Sequence, residues 1–440
     1  VISLYTTTNT VILGFFADIK SFLKNKDFKV LASNFFNLAL IQGLDMVLPL
    51  LVIPYTTRVL GFEKLGLIAF AGAVVAYFGI FISYGFNLTA TKQVSKNRED
   101  NYLLKKIYSQ VTLSKLFLIL ISSIIFFVGI IFIPKFSEHK TLYLISFLSI
   151  IFNNLIPYWF FQGIQDLKYT TLLTTIFKVL STAAIFTFVQ KEEDYLIIAL
   201  LPLISNFIIF TIIQIILYKK YKISLIKITK KDIQTQLHDG FYVFLSQVKI
   251  TFFTNFNTIV IGSVLGDAAV GLFSSAEKII RMLSLVQVPI VSSLFPYFSK
   301  KLHESRQEGF LQINKIAKVG SVIYIVVCLA VFFLARYIAV WVFGSQIDEI
   351  STLIRIMVFI PIFVFANNLY GTQFLLNIGK DKRFTANLLF AAILNVCMVI
   401  PLTYFFKVNG TAVSVLLTEI FVFVIMYYSA IKNKKNIELK

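Results

Sequence analysis

Few of the residues that break and make bonds are present in this chain. Cysteine occurs twice in 440 residues, at Cys328 and Cys397, each inside an apolar run. Two isolated thiols make neither a disulfide framework nor a zinc site. Histidine occurs three times, as His139, His238 and His303, too scattered for a His-rich metal centre. The His-Glu-x-x-His, phosphate-loop, Gly-x-Ser-x-Gly and Asp-x-Asp patterns are all missing, so neither an enzyme nor a metal or organic cofactor is expected. Charge is also scarce, at 14% of residues, against about 25% in a soluble globular protein. Too few polar side chains remain to cover a soluble surface, and 58% of the residues are hydrophobic. A polytopic membrane protein is what this composition allows.

A hydrocarbon core of about 30 Å takes roughly 20 helical residues, and apolar runs of that length recur. They predict twelve transmembrane helices over 34–57, 65–90, 110–133, 141–163, 169–189, 195–218, 240–264, 268–297, 316–335, 352–378, 384–406 and 410–431. None alternates with period two, which argues against a β-barrel. The expected organisation is an arm (1–33), a six-helix bundle (34–218), a basic linker (219–239), a second six-helix bundle (240–431) and a basic tail (432–440). The arm, with lysines at 20, 24, 26 and 29, reads as an interfacial or cytoplasmic segment and lacks the pattern of a cleaved signal peptide.

Of the 41 basic residues, 28 fall in the arm, the tail and one alternate set of loops, whereas the opposite loops hold 7. By the positive-inside rule both termini are cytoplasmic. The net charge of +19 therefore lines one membrane face beside anionic lipid, and nucleic acid is not an expected partner. A weak repeat runs through the chain at an offset of 205 residues. Gln42, Val59, Leu60, Gly61, Gly66, Leu67 and Ala71 return as Gln247, Val264, Leu265, Gly266, Gly271, Leu272 and Ala276. Six helices per half give the halves one orientation, so the expected fold is all-α, two parallel-repeat bundles with substrate between them near mid-membrane.

Nine charged residues fall inside the expected helices. Lys115 and Arg355 lie near helix ends and are expected to snorkel. Asp45, Lys178, Lys249, Glu277, Lys278, Arg281 and Glu419 lie roughly 12–18 Å deep at 1.5 Å per residue. At about 2.5–3.5 kcal/mol each, seven such groups cannot face lipid; they must pair or line a wet cavity. Glu277 and Arg281, four apart, are expected to pair along one helix. Gln247, Thr251, Thr254 and Thr258 make a polar stripe with Asn255 beside it, and Lys249 lies off that stripe. Four deep cations against three deep acids suit an anionic ligand, with Asp45, Glu277 and Glu419 as candidates for a coupling ion. Prolines at 49, 54, 157, 202, 289, 296 and 361 permit kinks.

Leu48-Pro49, Pro54-Tyr55, Arg58-Val59-Leu60-Gly61, Phe62, Gly66 and Tyr84-Gly85-Phe86, with Pro157-Tyr158-Trp159-Phe160-Phe161-Gln162-Gly163, resemble the Wzx-type polysaccharide flippases. These move O-antigen and capsule repeat units and belong to the multidrug/oligosaccharidyl-lipid/polysaccharide (MOP) superfamily with the MATE exporters. The resemblance spans 31–431 and implies two bundles in a V. It also implies transport of an undecaprenyl-diphosphate-linked oligosaccharide to the outer leaflet of the bacterial inner membrane, for O-antigen, lipopolysaccharide or capsule assembly. On that footing Lys178, Lys278, Arg281 and Lys249 would hold the diphosphate. Gln42, Gln247, Thr251, Asn255, Trp159 and Gln373, with Asn367 and Asn368, would meet the sugars. A proton or sodium gradient would drive the cycle, and a polymerase with chain-length machinery would be partners. A cation-coupled small-molecule exporter is the nearest rival, and a membrane-embedded polymerase or glycosyltransferase the second.

Overall fold

A computed structural model describes residues 26–344 and 346–434, with side chains from 43 onward except 45–46, 249–254, 289, 292–293 and 296. Within these residues the fold is all-helical, as lipid requires of backbone groups that have no water to bond. α1 (Lys26–Ser83), α2 (Phe86–Lys96), α3 (Asn101–Phe132), α4 (Pro134–Glu138), α5 (Lys140–Leu155), α6 (Tyr158–Ile164), α7 (Lys168–Phe188) and α8 (Tyr195–Lys219) build the first half. α9 (Lys230–Val264), α10 (Asp267–Leu285), α11 (Gln287–Glu304), α12 (Arg306–Val342), α13 (Ile347–Met357), α14 (Ile360–Asn367) and α15 (Asp381–Lys434) build the second. A π-helical stretch, Asn368–Leu376, continues α14.

Eight of the described segments are long and apolar enough to cross a membrane, which makes this a multi-pass membrane protein. Two are double length: α1 is interrupted at Gly61 and α15 at Lys407, where the backbone leaves the helical region. α10 carries four charges in 19 residues and is not among the eight.

Several expected helices prove to be broken, and the breaks have causes. The run expected over 141–163 divides at Pro157, which has no N–H to donate. Tyr158 N–H then bonds the Ile156 carbonyl and leaves the Asn154 carbonyl without its helical donor. Lys115 Nζ supplies one at 2.6 Å. Lys115 is 3% exposed, so it does not snorkel; its charge caps a helix end, where cations are favoured. The run expected over 268–297 divides between α10 and α11. That over 352–378 divides ahead of Pro361, whose carbonyl accepts Gln287 Nε2 at 2.8 Å. α9 begins at Lys230, ten residues before the expected 240, because Thr229 caps it and Asp232 closes a capping box.

The apolar packing falls into three cores. One draws on both halves, from Ile53, Phe62, Phe70, Phe126 and Phe147 to Val270, Phe273, Phe343 and Ile354. It lies at the end whose loops are poor in Lys and Arg. At the basic end the cores are separate: Phe86, Tyr108, Trp159 and Ile213 in the first half, Phe298, Phe310, Phe374 and Met426 in the second. The halves share a core at one end, and at the basic end they meet through the N-terminal part of α9. There Phe244 stacks on Tyr84 with ring centres 4.5 Å apart, and Lys106 lies 3.2 Å from Asp232.

The joint is built on glycine. A Cβ at Gly66 on α1 would strike the Asp267 carbonyl and the Gly271 amide of α10; one at Gly271 would strike the Phe62 carbonyl of α1. Residues 62 and 66 thus meet 271 and 267, a reciprocal contact at the 205-residue offset. Gly61 (φ 71°, ψ 173°) and Gly266 (φ 88°, ψ −178°), also 205 apart, share a backbone conformation essentially reserved for glycine. Lys135 Nζ locks the same end from outside the helices. It lies 2.7 Å from Asp267 Oδ1 and 3.9 Å from the Phe70 ring centre, and donates to the Gly262 carbonyl at 2.9 Å. Arg58 donates to the Trp341 carbonyl nearby.

Candidate functional site

α10 enters the space between the halves with polar residues on the side it turns to that space. Its charges divide three chambers. The largest, about 570 Å³, lies in the first half and is lined by α1, α5, α7 and α8, with Lys178 on α7 and Lys278 on α10. A second, about 220 Å³, is bounded by Gly72, Asn255, Thr258, Ser274, Glu277, Lys278 and Arg281. A third, about 280 Å³, opens beside α11 and α14 and is lined by Arg281, Gln287 and Asn368. Lys278 borders the first two and Arg281 the last two. Three residues apart, they share one helix face, so two cations from one helix run through the series.

Of the cations expected at the site, Lys178, Lys278 and Arg281 therefore border neighbouring chambers. Glu277 also borders the middle one, but it makes no ion pair within 4.0 Å with Arg281 among the described residues. The expected i,i+4 bridge is thus not formed within 4.0 Å, although both residues border the same chamber. Lys249, Thr251, Gln42 and Asp45 lie outside the described side chains. Asn255 lines the middle chamber; Gln247 is half-buried on α9 and lines none of the three.

Two expected sugar contacts are core residues instead. Trp159 is 1% exposed, against Tyr108 and Phe160, because the break at Pro157 turns its side chain into the first-half core. Its neighbour Tyr158 takes the place on the cavity wall. Gln373 is fully buried and donates Nε2 to the Val291 carbonyl at 2.8 Å. It ties the π-helical stretch to α11. Glu419 on α15 is half-buried away from the chambers and accepts from Asn367 Nδ2 at 2.7 Å; Asn367 Oδ1 is buried without a partner. Asn368 lines the third chamber.

The wall of the largest chamber holds residues that sequence reasoning passed over. Thr174, Lys178, Ser181 and Thr182 follow i, i+4, i+7 and i+8 spacing on α7, a single polar face, and oppose Ser205 and Asn206 of α8 and Asn153 of α5. That spacing was the available signal. Ser and Thr in apolar helices often bond their own carbonyls, as Thr182 does with Lys178 O at 2.9 Å, which makes such a face look unremarkable in one dimension.

A family model described as "Polysaccharide biosynthesis protein" matches residues 31–303. A protein of Escherichia coli (strain K12) named "Putative O-antigen transporter" is 29% identical over 409 residues, 92% of this chain and 97% of that one. One of the same name from Shigella dysenteriae is 26% identical over 400 residues, 89% and 98% of the two chains. Among solved structures, an inward-facing multidrug resistance MATE family transporter of the MOP superfamily gives a TM-score of 0.69 at 15% identity, covering 89% of this chain and 96% of that one. The lipid II flippase MurJ in an inward closed conformation gives 0.67 at 14% identity, covering 92% and 87%. At these identities the likeness is one of fold: paired helical bundles around a central space. The family match extends over more than half of the residues and takes in α1 to α11, including the glycine joint and the cations of α10. The chain belongs to the polysaccharide biosynthesis protein family.

Proposed function

We propose that this protein is a flippase for a polyprenyl-diphosphate-linked oligosaccharide, the undecaprenyl-linked repeat unit of an O-antigen or capsule. It would carry the substrate from the cytoplasmic to the outer leaflet of the inner membrane. The observation that carries this reading is the series of neighbouring chambers bordered by Lys278 and Arg281, with Lys178 lining the first. A diphosphate leaving water for such a space needs cations already in position. Lysine meets phosphate as a mobile point charge and arginine as a two-pronged donor. A lipid tail needs no cavity if it stays in the bilayer while the headgroup crosses between the halves.

In this reading α1 and α15 each cross twice, and with α9 and α10 the chain makes twelve crossings in two parallel repeats. The reciprocal Gly66–Gly271 contact and the matched Gly61 and Gly266 conformations support that symmetry. The bias of Lys and Arg toward one set of loops supports a cytoplasmic side for both termini. A proton or sodium gradient would supply the energy, with Glu419, Glu277 and Asp45 as the acids available to it. The relatives named O-antigen transporters support the substrate class, and the polymerase of the same polymer would receive the product.

Deleting the gene tests the proposal. Surface polysaccharide should fall and lipid-linked repeat units should accumulate facing the cytoplasm, with drug sensitivity unchanged. Normal surface polymer with new sensitivity to cationic dyes would favour the exporter, and accumulation of flipped but unpolymerised units would favour a polymerase.

A further inference from the structure

The largest chamber is chemically two-sided. α1 supplies an aliphatic wall, with Val52, Ile53 and Ile68 among its residues. The wall opposite is rich in neutral hydrogen-bonding groups around the cation Lys178. Asn153 Nδ2 donates to Asn206 Oδ1 at 3.4 Å, and Ser181 and Ser205 share one hydrogen bond at 3.0 Å. Asn206 Nδ2 also reaches Ser149 Oγ at 3.2 Å. These bonds fix the wall and leave much of it open to a ligand. An amide has two donors and an acceptor oxygen with two lone pairs, and a hydroxyl has one donor and two lone pairs. Tyr158 adds an aromatic face at the rim. Among the described residues lining the chamber, the charged ones are Lys178 and Lys278, which lies on the edge shared with the middle chamber.

We infer that this wall is a glycan subsite, distinct from the Lys278 and Arg281 cations of α10, and that it reads the hydroxyl pattern of the sugars nearest the diphosphate. A pyranose is itself two-sided: C–H groups on its faces, hydroxyls around its edge. It can lay a face on the α1 aliphatics and Tyr158 while its edge bonds Asn153, Ser181, Ser205 and Asn206. With the diphosphate at Lys278 and Arg281, the sugars lie in the first half, within reach of Lys178 and the neutral groups beside it. A chamber of this size is ordinary for a ligand with several convergent polar contacts. The inference rests on the flippase reading and divides its site into two parts that can be separated experimentally.

The experiment uses the full-length purified protein and two probes: undecaprenyl diphosphate, and the lipid-linked repeat unit extracted from the deletion strain. The parent should bind the repeat unit at least tenfold more tightly than undecaprenyl diphosphate. Ser181→Ala with Ser205→Ala should weaken binding of the repeat unit about tenfold and that of undecaprenyl diphosphate less than twofold, whereas Lys278→Gln should weaken both. Thr182→Val, isosteric at the same wall, gives a second reading if the double variant unfolds, and thermal unfolding checks each variant. A folded Ser181→Ala with Ser205→Ala variant that binds both probes as the parent does, or loses both equally, overturns the glycan subsite. So does a parent that binds the two probes alike, which leaves the cationic diphosphate site standing. A folded parent that binds neither probe overturns the subsite together with the flippase reading.

Discussion

Adding one methyl group at Gly271 should move the resting state of the whole protein. In the structure the new Cβ would overlap the Phe62 carbonyl oxygen and lie 3.0 Å from Phe62 Cα. Both are backbone atoms, so no side chain can swing aside, and α1 must part from α10. Overpacking of this kind costs about 1–3 kcal/mol. The cost falls only on the state in which the two helices touch, so it is a differential between states and equals a shift of about 5–150-fold in their ratio. Gly66→Ala should do the same, since its Cβ would strike Asp267 and Gly271 from the other side. Gly61→Ala is the contrast. Nothing surrounds that Cβ; the damage lies in the φ of 71°, which strains α1 itself and lowers the amount of protein without opening it. The assay begins from a background lacking Cys328 and Cys397, with a cysteine placed at Thr182 on the chamber wall. A membrane-impermeant maleimide added outside intact cells should label Gly271→Ala and Gly66→Ala at least fivefold faster than the parent. Labelling at the parental rate, with normal protein abundance, would refute the view that the glycine contact holds the outer face shut.

The Lys135–Asp267 pair, with side chains 26% and 19% exposed, should act on the same equilibrium. Asp267→Asn should raise outside labelling of the same cysteine, and Lys135→Asp with Asp267→Lys should bring it back toward the parent. Lys278→Gln should reduce delivery of repeat units to the surface at least tenfold, while Lys278→Arg should retain most of it, as positive charge is what a phosphate contact requires; surface polysaccharide measured at matched protein levels decides. At the start of α9, the Thr229 backbone N–H and hydroxyl, with Lys106 and Gln110, hold the Asp232 carboxyl well below the usual carboxylate range. A carboxyl lowered by folding contributes stability above its unfolded value of about 3.9, and the contribution fades only as pH falls through the lower folded value. Amides of residues 229–233 should therefore keep their protection from hydrogen exchange at pH 4 in the parent and lose it in Asp232→Asn at every pH.

The deep charges were legible in the sequence because their cost in lipid is large and depth follows from counting residues. The spacing pairs Glu277 with Arg281, whereas in the structure Lys278 and Arg281, three apart, both border the middle chamber. The glycines at the 205-residue offset were legible as a pattern, and the structure gives their reasons: backbone geometry at Gly61 and Gly266, close approach at Gly66 and Gly271. Lys115 was misread because a lysine near a helix end has two ways to satisfy its charge. Choosing between water and an orphaned carbonyl requires knowing that Pro157 breaks a helix packed against it. Trp159 and Gln373 failed for a related reason. Each lies at or beside a local break in helical geometry, and a break rotates every later side chain to a new bearing. The polar wall of α5, α7 and α8 was hidden because each of the three helices is individually unexceptional.

The core shared by the two halves also couples their relative position to temperature. Phe62, Phe70, Val270, Phe273 and Phe343 are packed together here, and separating the halves at this end would bring such side chains to water. Exposure of apolar surface raises heat capacity, so the exchange between the two states has a curved temperature dependence rather than a constant enthalpy. Hydrophobic attraction weakens on cooling, and cold therefore shifts the balance toward an open outer face. The same side chains that seal one end of the protein make its resting conformation respond to temperature.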